Sequence, residues 1–521
     1  MDTKALRQKV LDLAIRGKLV PQDPNDEPAS VLLERIRQQK QQMVKDGKLK
    51  AKDIKNDTII FVGEDNLHYE KFANGSVKCI EEEIPFDLPE GWVWVRLSSI
   101  ADMALGKMLD VAKNKGSLRP YLRNVNVRWG TFELSDVLDM RFEDDELERY
   151  SIRHGDLVIC EGGEPGRCAV WQSEEVVFYQ KALHRVRAIE VLPEYLYYVI
   201  RHFITSTQYE RYYTGTTIKH LTGQSLQVLP IPLPPMSEQQ LIVKHLQHII
   251  GEIDKVETEK SEALSLVSLA KSKILNLAIS GQLVPQDPAD EPASVLLERI
   301  RAEKEELIKQ GKLKRDKKES VIFRGEDNSY YLRTGDLVES LEDWAFEELP
   351  DSWGICCLGE LCDYGNCLNV DTASISDSAW ILDLEDIEKD SGVVLRKVRK
   401  SERNAASTKH FFHRGQVLYS KLRPYLNKVV LSDEDGYCTS EILPLEFERN
   451  VLPQYARYYL MSPVFLEYAN KCSYGVKMPR LGTVDGKKSI ISIPPIEEQK
   501  RIVLAIEQAF TQLAAITQNL L

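Results

Sequence analysis

The sequence predicts a mixed α/β (α+β) protein built twice over. Two globular domains are joined by two long antiparallel coiled-coil helices, with an internal duplication, pseudo-twofold symmetry and a circular arrangement of the termini. Three observations predict this. A long segment recurs almost unchanged, the stretches between the recurrences are unlike, and a heptad seam is continuous in one copy and cut in the other.

The recurrence comes first in the chain. Residues 21–37 are PQDPNDEPASVLLERIR and residues 285–301 are PQDPADEPASVLLERIR, identical at sixteen of seventeen positions. KVLDLAIRGKLV (9–20) faces KILNLAISGQLV (273–284), and Gly47-Lys48-Leu49-Lys50 faces Gly311-Lys312-Leu313-Lys314. Gly63-Glu64-Asp65 faces Gly325-Glu326-Asp327, and Leu88-Pro89-Glu90-Gly91-Trp92 faces Leu349-Pro350-Asp351-Ser352-Trp353. Pro234-Pro235-x-x-Glu238-Gln239 faces Pro494-Pro495-x-x-Glu498-Gln499. The offset drifts only from 264 to 260 residues, far too long a period for a solenoid, so this is a domain duplication. Residues 100–230 and 360–490 differ almost everywhere, as two sites with different targets on one scaffold would.

The helices follow from periodicity. From Glu238 to Ile279 there is no proline, and Gly251 is the only glycine. Steps of four and three from Ile242 meet Leu246, Ile249, Ile253, Val256, Lys260, Ala263, Val267, Ala270, Ile274 and Leu277, a coiled-coil seam or the core stripe of an ordinary bundle. Such a helix is roughly 60 Å long. Gly281 and Pro285 are stop signals. Ile502, Ile506, Ala509, Leu513, Ile516 and Leu520 repeat the steps, and Leu6, Val10 and Leu13 stand 264 residues before Ala270, Ile274 and Leu277. One copy is therefore continuous and the other split, and the split copy is expected to pack antiparallel on the intact one. A further helix is expected from Pro28 to about Val44, with Asp26 as its N-cap, and a second copy from Pro292. Basic runs follow at Lys40, Lys45, Lys48, Lys50, Lys52 and Lys55, and at Lys309, Lys312, Lys314, Arg315, Lys317 and Lys318. They suit solvated linkers or phosphate contacts.

The centres mix short strands with helices. Strands are expected at 156–159, 176–179, 416–419 and 428–431, and helices at 193–202 and 453–461. Each centre ends in an extended Ile/Leu/Pro-rich segment, VLPIPLPP or IISIPP. The resulting boundaries are 1–86 (helical segment and basic linker), 87–235 (first domain) and 236–281 (spacer helix). The second copy gives 282–346 (helical segment and linker), 347–495 (second domain) and 496–521 (C-terminal helix).

Composition sets the limits. The chain has 521 residues, 43% hydrophobic and 28% charged, as a multidomain globular protein should. No apolar run approaches the roughly 18 to 20 residues of a membrane span. The start, Met1-Asp2-Thr3-Lys4, lacks the apolar stretch and cleavage site of a secretory signal. Nine cysteines, odd in number and irregular in spacing, suit a reducing cytoplasm. The net charge of −12, from 68 basic and 80 acidic residues, argues against a lone nucleic-acid binder.

Local chemistry argues the other way. The first centre carries Lys107, Lys113, Lys115, Arg119, Arg123, Asn124, Asn126 and Arg128 among Tyr121 and Trp129, and the loop Glu161-Gly162-Gly163-Glu164-Pro165-Gly166-Arg167. The second carries Lys421, Arg423, Tyr425, Asn427 and Lys428. Both then have a basic turn, Gly215–His220 with Lys219 and His220, and Gly475–Arg480 with Lys477 and Arg480. Arg and Lys pair with guanine edges or phosphates, and Asn pairs with adenine. Solvated faces are the plain alternative. No catalytic motif is present: no GxxxxGK[ST], no HExxH, and no Asn/Asp-Pro-Pro-aromatic tetrapeptide around Pro234-Pro235-Met236 or Pro494-Pro495-Ile496. Cys356, Cys357, Cys362 and Cys367 cluster without a CxxC pair, so no metal is expected.

This pattern resembles the DNA-specificity subunit of type I restriction-modification systems over nearly the whole chain. LPEGWVWVRL (88–97) and LPDSWGICCLGE (349–360) resemble domain openings. GKMLD (106–110), YLRNVNVRWG (121–130), GDLVICEGGEPGRCAVW (155–171) and GQVLYSKLRPYLNKVV (415–430) resemble recognition domains. IPLPPMSEQQLIV (231–243) and ISIPPIEEQKRIV (491–503) resemble exits into spacer helices. The resemblance implies a non-catalytic, cytoplasmic subunit whose two target-recognition domains each read half of a split DNA site. It implies no cofactor in this chain. The expected partners are double-stranded DNA, two methyltransferase (M) subunits that bind S-adenosylmethionine and methylate adenine N6, and two restriction/translocase (R) subunits. The expected DNA-binding residues are Lys107, Arg123, Asn124, Asn126, Arg128, Arg167, Lys219, His220, Lys421, Arg423, Tyr425, Lys428, Lys477 and Arg480. The M subunits are expected at Leu19, Val20 and Pro21 and at Leu283, Val284 and Pro285. The alternative is a duplicated coiled-coil adaptor whose domains bind proteins. A self-contained methyltransferase-nuclease would need the missing motifs.

Overall fold

The computed structural model describes residues 2–520 apart from 56, 111, 206, 216–218, 312–319, 326, 328, 342–348, 404–406 and 448–449. Most of the second basic run (Lys312, Lys314, Arg315, Lys317 and Lys318), the middle of the Gly215–His220 turn and Glu326 thus lie outside the described residues. The chain divides into two compact units, 1–259 and 260–521. One helix, Met236–Ile279, runs for 44 residues through the division.

In the first unit the helix Thr3–Ile15 starts at Asp2, whose carboxylate accepts the Ala5 N–H at 2.9 Å. Its Val10, Leu11, Ala14 and Ile15 share a core with Ile242, Leu246 and Ile250 of the long helix. Arg7 pairs with Asp254 at 2.8 Å and Glu257 at 3.1 Å. Arg7 precedes Val10, whereas both acids follow Ile250, so the two helices run antiparallel. In the second unit Ile502 and Ile506 of the C-terminal helix Ile496–Leu520 share a core with Leu275, Ala278 and Ile279. The Lys271 ammonium lies 5.7 Å from the centre of the Phe510 ring, so this pair is antiparallel too. Towards the middle of the long helix the seam thins. Ala263 and Val267 are half-buried, while Leu266 and Leu269 are exposed.

The helix expected after Pro28 spans Ala29–Lys45, and its copy spans Ala293–Lys309. Asp26 does not cap it. Pro28 and Pro292 hold the cap positions without a side-chain hydrogen bond. The free N–H groups find backbone carbonyls instead: Ala29 donates to Gly91 at 2.9 Å and Ala293 to Ser352 at 2.8 Å. The recurring LP-x-x-W turn is thus the cap. Lys40 is not part of a solvated run either. It is buried, and its ammonium meets Asp57 at 2.8 Å and the Ser98 carbonyl at 2.7 Å.

Each expected basic linker contains a three-stranded antiparallel meander. The strands are Ile59–Val62, His68–Lys71 and Val77–Cys79 in the first unit, and Ser320–Arg324, Tyr330–Thr334 and Leu337–Ser340 in the second. Strands this short, with exposed faces, leave no clean alternation to read. The two meanders are anchored differently. In the first, Glu70 takes the buried Arg96 guanidinium at 2.6 and 3.0 Å and the Thr58 hydroxyl at 2.5 Å, and Glu83 takes Arg96 at 2.8 Å. In the second, Leu332 and Cys357 stand at the matching register positions, in an apolar cluster with Ile322, Leu341, Ile355 and Ile490.

The two larger sheets of each centre share one plan. One sheet pairs Leu157–Cys160 with Cys168–Val170 and Leu183–Ala188, as Val417–Ser420 pairs with Val429–Leu431 and Ile442–Leu445. The other places Val177–Tyr179 parallel to Ser117–Leu122, as Gly436–Thr439 is parallel to Trp380–Leu382. The domain opens and closes on one antiparallel pair, Val93–Arg96 with Pro230–Leu233, or Gly354–Cys357 with Ile490–Ile493. The expected helices at 193 and 453 are Pro193–Ile204 and Pro453–Leu460.

The anchors make a testable difference. Burial pushes the Glu70 carboxyl up, but the hydrogen bonds of Arg96 and Thr58 and the Arg96 charge outweigh it, and the net shift is down. Its stabilisation is present above the unfolded carboxylate value and is lost as pH falls through the lower folded value. Arg96→Leu strands a buried carboxylate and should cost about 3–5 kcal/mol. Glu70→Leu with Arg96→Cys, the arrangement of the second unit, should recover most of it. Protection of amides 59–79 against hydrogen exchange measures both, and acid should loosen this meander more than the strands Ser320–Arg324 and Tyr330–Thr334, which have no buried carboxylate anchor among the described residues.

Candidate nucleic-acid interface

Each domain is clamped to its helix by the same contacts. The Trp92 indole donates to Glu238 at 2.9 Å, and the Trp353 indole to Glu498 at 3.1 Å. Gln239 accepts the Leu192 N–H and donates to the Pro234 carbonyl, both at 3.0 Å. Gln499 does the same with Leu452 at 2.8 Å and Pro494 at 3.0 Å. Tyr195 and Tyr455 donate to the carbonyls of Pro232 at 2.7 Å and Ser492 at 2.8 Å. Both Glu-Gln pairs are buried, and burial pushes the two carboxyls up against the pull of the indole hydrogen bonds. The PP-x-x-EQ motif is therefore a junction. Its Glu holds the domain's opening turn, and its Gln holds the start of the domain's helix.

Beyond the junction, two loops that are far apart in sequence meet. Leu221 N–H donates to the Glu161 carbonyl at 2.8 Å, and Leu481 N–H to the Lys421 carbonyl at 3.0 Å. The glycine-rich loop of the first domain and the YSKLRPYLNK loop of the second thus each dock on the basic turn that follows. That turn closes at Thr214 with His220, and at Tyr474 with Arg480. A tight 3-10 turn braces the other side. Arg123 N–H donates to Asn126 Oδ1, and Asp383 N–H to Asp386 Oδ2, each at 2.9 Å. The Arg167 guanidinium donates to the Asn124 carbonyl at 2.8 Å, and the Lys428 ammonium to the Leu384 carbonyl at 2.6 Å.

These contacts sort the expected DNA-binding residues. Lys107 is buried and paired with Glu143 and Glu146, the latter at 2.5 Å, so it faces its own domain. Asn126 is buried and donates to the carbonyls of Glu133 and Asp136, both at 3.0 Å. Arg167 and Lys428 are struts for their loops. Burial, partly offset by Asp386, lowers the Lys428 pKa. Arg480 holds both oxygens of Glu441 at 2.7 to 3.1 Å. Lys421 is half-buried beneath the turn. Arg123 donates to Asp136 at 2.7 Å, and Asn124 donates to the Gly162 carbonyl at 2.9 Å. Arg128, Lys219, His220, Arg423, Tyr425 and Lys477 are exposed. The two turn lysines are not equivalent. The closing pairs set His220 opposite Arg480, which makes Pro479 the counterpart of Lys219.

A Cβ at Gly162 would stand 3.0 Å from Nδ1 of the exposed His220, so the glycine-rich loop passes close beneath this side chain. Side chains outside the expected set complete the surface. Trp129 donates to Glu164 at 2.7 Å, and Tyr474, Val476 and Met478 project from the second turn. Of the expected docking residues, Val20 is buried and Leu19, Leu283 and Val284 pack against the cores, while Pro21 and Pro285 are exposed. Burial pushes the Cys357 thiol up to about 12 and that of Cys356 well up. Among the described residues no group of three or more His, Cys, Asp or Glu is arranged to hold a metal ion. No described helix is long and apolar enough to cross a membrane.

The family profile "Type I restriction modification DNA specificity domain" matches residues 89–265 and 350–521. The chain belongs to this family. Each match begins within the LP-x-x-W turn and runs through the domain and the junction into a helix, so the family's repeating unit is domain plus helix. Among its relatives is the EcoAI type I restriction enzyme specificity subunit of Escherichia coli. It is 28% identical over 419 residues, 70% of this chain and 63% of that protein. The EcoEI specificity subunit of Escherichia coli is 27% identical over 420 residues, 69% of this chain and 61% of that protein. The chain thus spans somewhat less than two thirds of the length of these relatives. A chain solved in work on complex assembly and conformational transition of the type I R-M system shares the fold. The TM-score is 0.55 at 17% identity, covering 84% of this chain and 94% of that one.

One buried group supports the specificity-domain surface from below. His184 is 2% exposed, and its Nε2 lies 3.1 Å from the Leu221 carbonyl, at the root of the first turn. Burial lowers its pKa, against the pull of Glu161. The neutral form therefore stabilises the fold above the unfolded value of about 6.5, and that contribution is lost as pH falls through the lower folded value. Below about pH 6.5 the protection of the Leu221 amide, corrected for its intrinsic exchange rate, should fall, and His184→Gln should flatten this dependence.

Proposed function

We propose that this chain is the DNA-binding specificity subunit of a type I restriction-modification complex. Each domain reads one half of a bipartite site. The observation that carries this reading is the docked loop pair. Its backbone hydrogen bonds recur 260 residues apart while its exposed side chains change from one domain to the other. A kept frame with altered tips suits two different half-sites. Base edges are read by side chains, and phosphates are held by cations. The exposed Arg128, Lys219, His220, Arg423, Tyr425 and Lys477 are the DNA contacts in this reading. Lys107, Asn126, Arg167, Lys428 and Arg480 support them from behind.

The long helix sets the gap between half-sites. At about 1.5 Å per residue its 44 residues rise roughly 66 Å, ample for recognition elements placed one DNA turn, roughly 34 Å, apart. The split partner helix and the pseudo-twofold relation belong to this spacer. Two M subunits, carrying S-adenosylmethionine, dock on the repeated segments around Pro21 and Pro285, and R subunits join the full complex. The work of this chain is recognition in the cytoplasm, without a cofactor of its own. The net charge of −12 fits if contact is confined to the loop tips while the M subunits enclose the DNA.

The test is selection of random duplexes by the chain co-purified with its M subunits. A split consensus with steep salt dependence is expected, and tight protein association without sequence enrichment would favour the adaptor. Lys477→Ala should weaken binding to every sequence and reduce the salt slope by about 0.9. Arg423→Ala should relax only the second half-site, by about 1–3 kcal/mol per base pair it reads. Exchanging residues 100–230 should change one half-site and leave the other.

A further inference from the structure

The turn of the second domain ends in an apolar tip. Ser473 pairs with Leu481 and Tyr474 with Arg480, and Gly475 then turns the chain at φ +98°, where glycine is favoured. Val476 is 102% exposed, Tyr474 63% and Met478 44%. A single exposed apolar residue on a loose loop would be ordinary. This tip is not loose. Arg480 holds Glu441 through both oxygens, Arg423 N–H donates to the Pro479 carbonyl at 2.7 Å, and Leu481 N–H reaches Lys421 at 3.0 Å. The neighbouring loop is set by Arg423 and Asn427, both at positive φ, +51° and +47°. The fold therefore holds an uncovered valine out in solvent beside the exposed Lys477, on a turn whose base is bonded to the backbone of the exposed Arg423.

We propose that Val476, with Met478 beside it, reads the 5-methyl group of a thymine in the half-site bound by the second domain. This rests on the DNA-binding reading above. The major groove admits a two-stranded β-ribbon, and the thymine methyl is the apolar feature that distinguishes one base edge from another there. An apolar partner protein would suit the three side chains alone. Lys477 on the same turn and Arg423, bonded to it at Pro479, suit a polyanion, and both features occur together on duplex DNA. The tip thus gives the second half-site an A·T pair that no hydrogen-bonding side chain is needed to recognise.

The experiment uses the full chain with its M subunits and the duplex obtained by selection. Each thymine of the second half-site is replaced in turn by deoxyuridine, which removes only the methyl group. At one position affinity should fall about fourfold, the worth of one buried methyl group. Val476→Ala should lose a similar factor on the thymine duplex and become indifferent to deoxyuridine. Its selection at the first half-site, unchanged, reports that the variant is folded. The proposal is overturned if the second half-site contains no thymine, if no deoxyuridine substitution weakens binding, or if Val476→Ala remains equally sensitive to the methyl group. In those cases a split consensus still stands and the DNA-binding reading survives. Absence of any enriched sequence overturns both.

Discussion

Gln239 and Gln499 each spend a whole side-chain amide on one junction. The oxygen takes the N–H of the leucine just before the domain's helix, and the nitrogen holds the carbonyl of the first residue of the preceding proline pair. Neither group has access to water, so leaving either unmade would cost about 1–3 kcal/mol. The adjoining glutamates tie in the tryptophan of the opening turn. That turn in turn caps the helix that follows Pro28 or Pro292. Opening strand, closing strand, domain helix, spacer helix and capped helix therefore meet at one buried polar knot per unit. The positions of the docked loops follow from it.

The loops themselves show how a duplicated scaffold diverges without losing its shape. Main-chain bonds and the struts hold the frame. Asn126 and Asp386 close the same turn with different side chains, and Arg167 and Lys428 reach the same carbonyl from slightly different registers. The frame asks for a hydrogen-bonding function, and two chemistries meet the demand. The outward side chains carry no such demand and are free to differ. Several basic residues of the sequence thus belong to the frame, and an apolar residue, Val476, stands in the outward set.

The duplication, the long helices, the centre strands and the PP-x-x-EQ segments were legible because each rests on a periodicity or on direct identity. Strand limits moved by only a residue or so, as at Leu157–Cys160 against an expected 156–159. The caps were misread because the partner of Ala29 is the carbonyl of Gly91, some sixty residues away. The meanders were missed because strands of three to five residues with exposed faces carry no pattern. The basic residues that composition singled out divide, in the structure, into exposed side chains and buried or paired ones. Lysine at 107 and lysine at 477 are identical in sequence terms. Burial beside Glu143 and Glu146 separates them, and that depends on contacts 36 and 39 residues away.

The unlike anchors of the two meanders bear on how the chain sorts itself while folding. Two near-identical arms in one polypeptide invite each to settle on the other's half, the hazard that tandem repeats share. A misplaced first arm would press Glu70 against Cys357, and a misplaced second arm would lay Leu332 over Arg96. Either leaves a buried charge without its ion-pair partner, at about 3–5 kcal/mol. The carboxylate and guanidinium in one half, and leucine and cysteine in the other, thus work as an address written into the core, matching each arm to its own side.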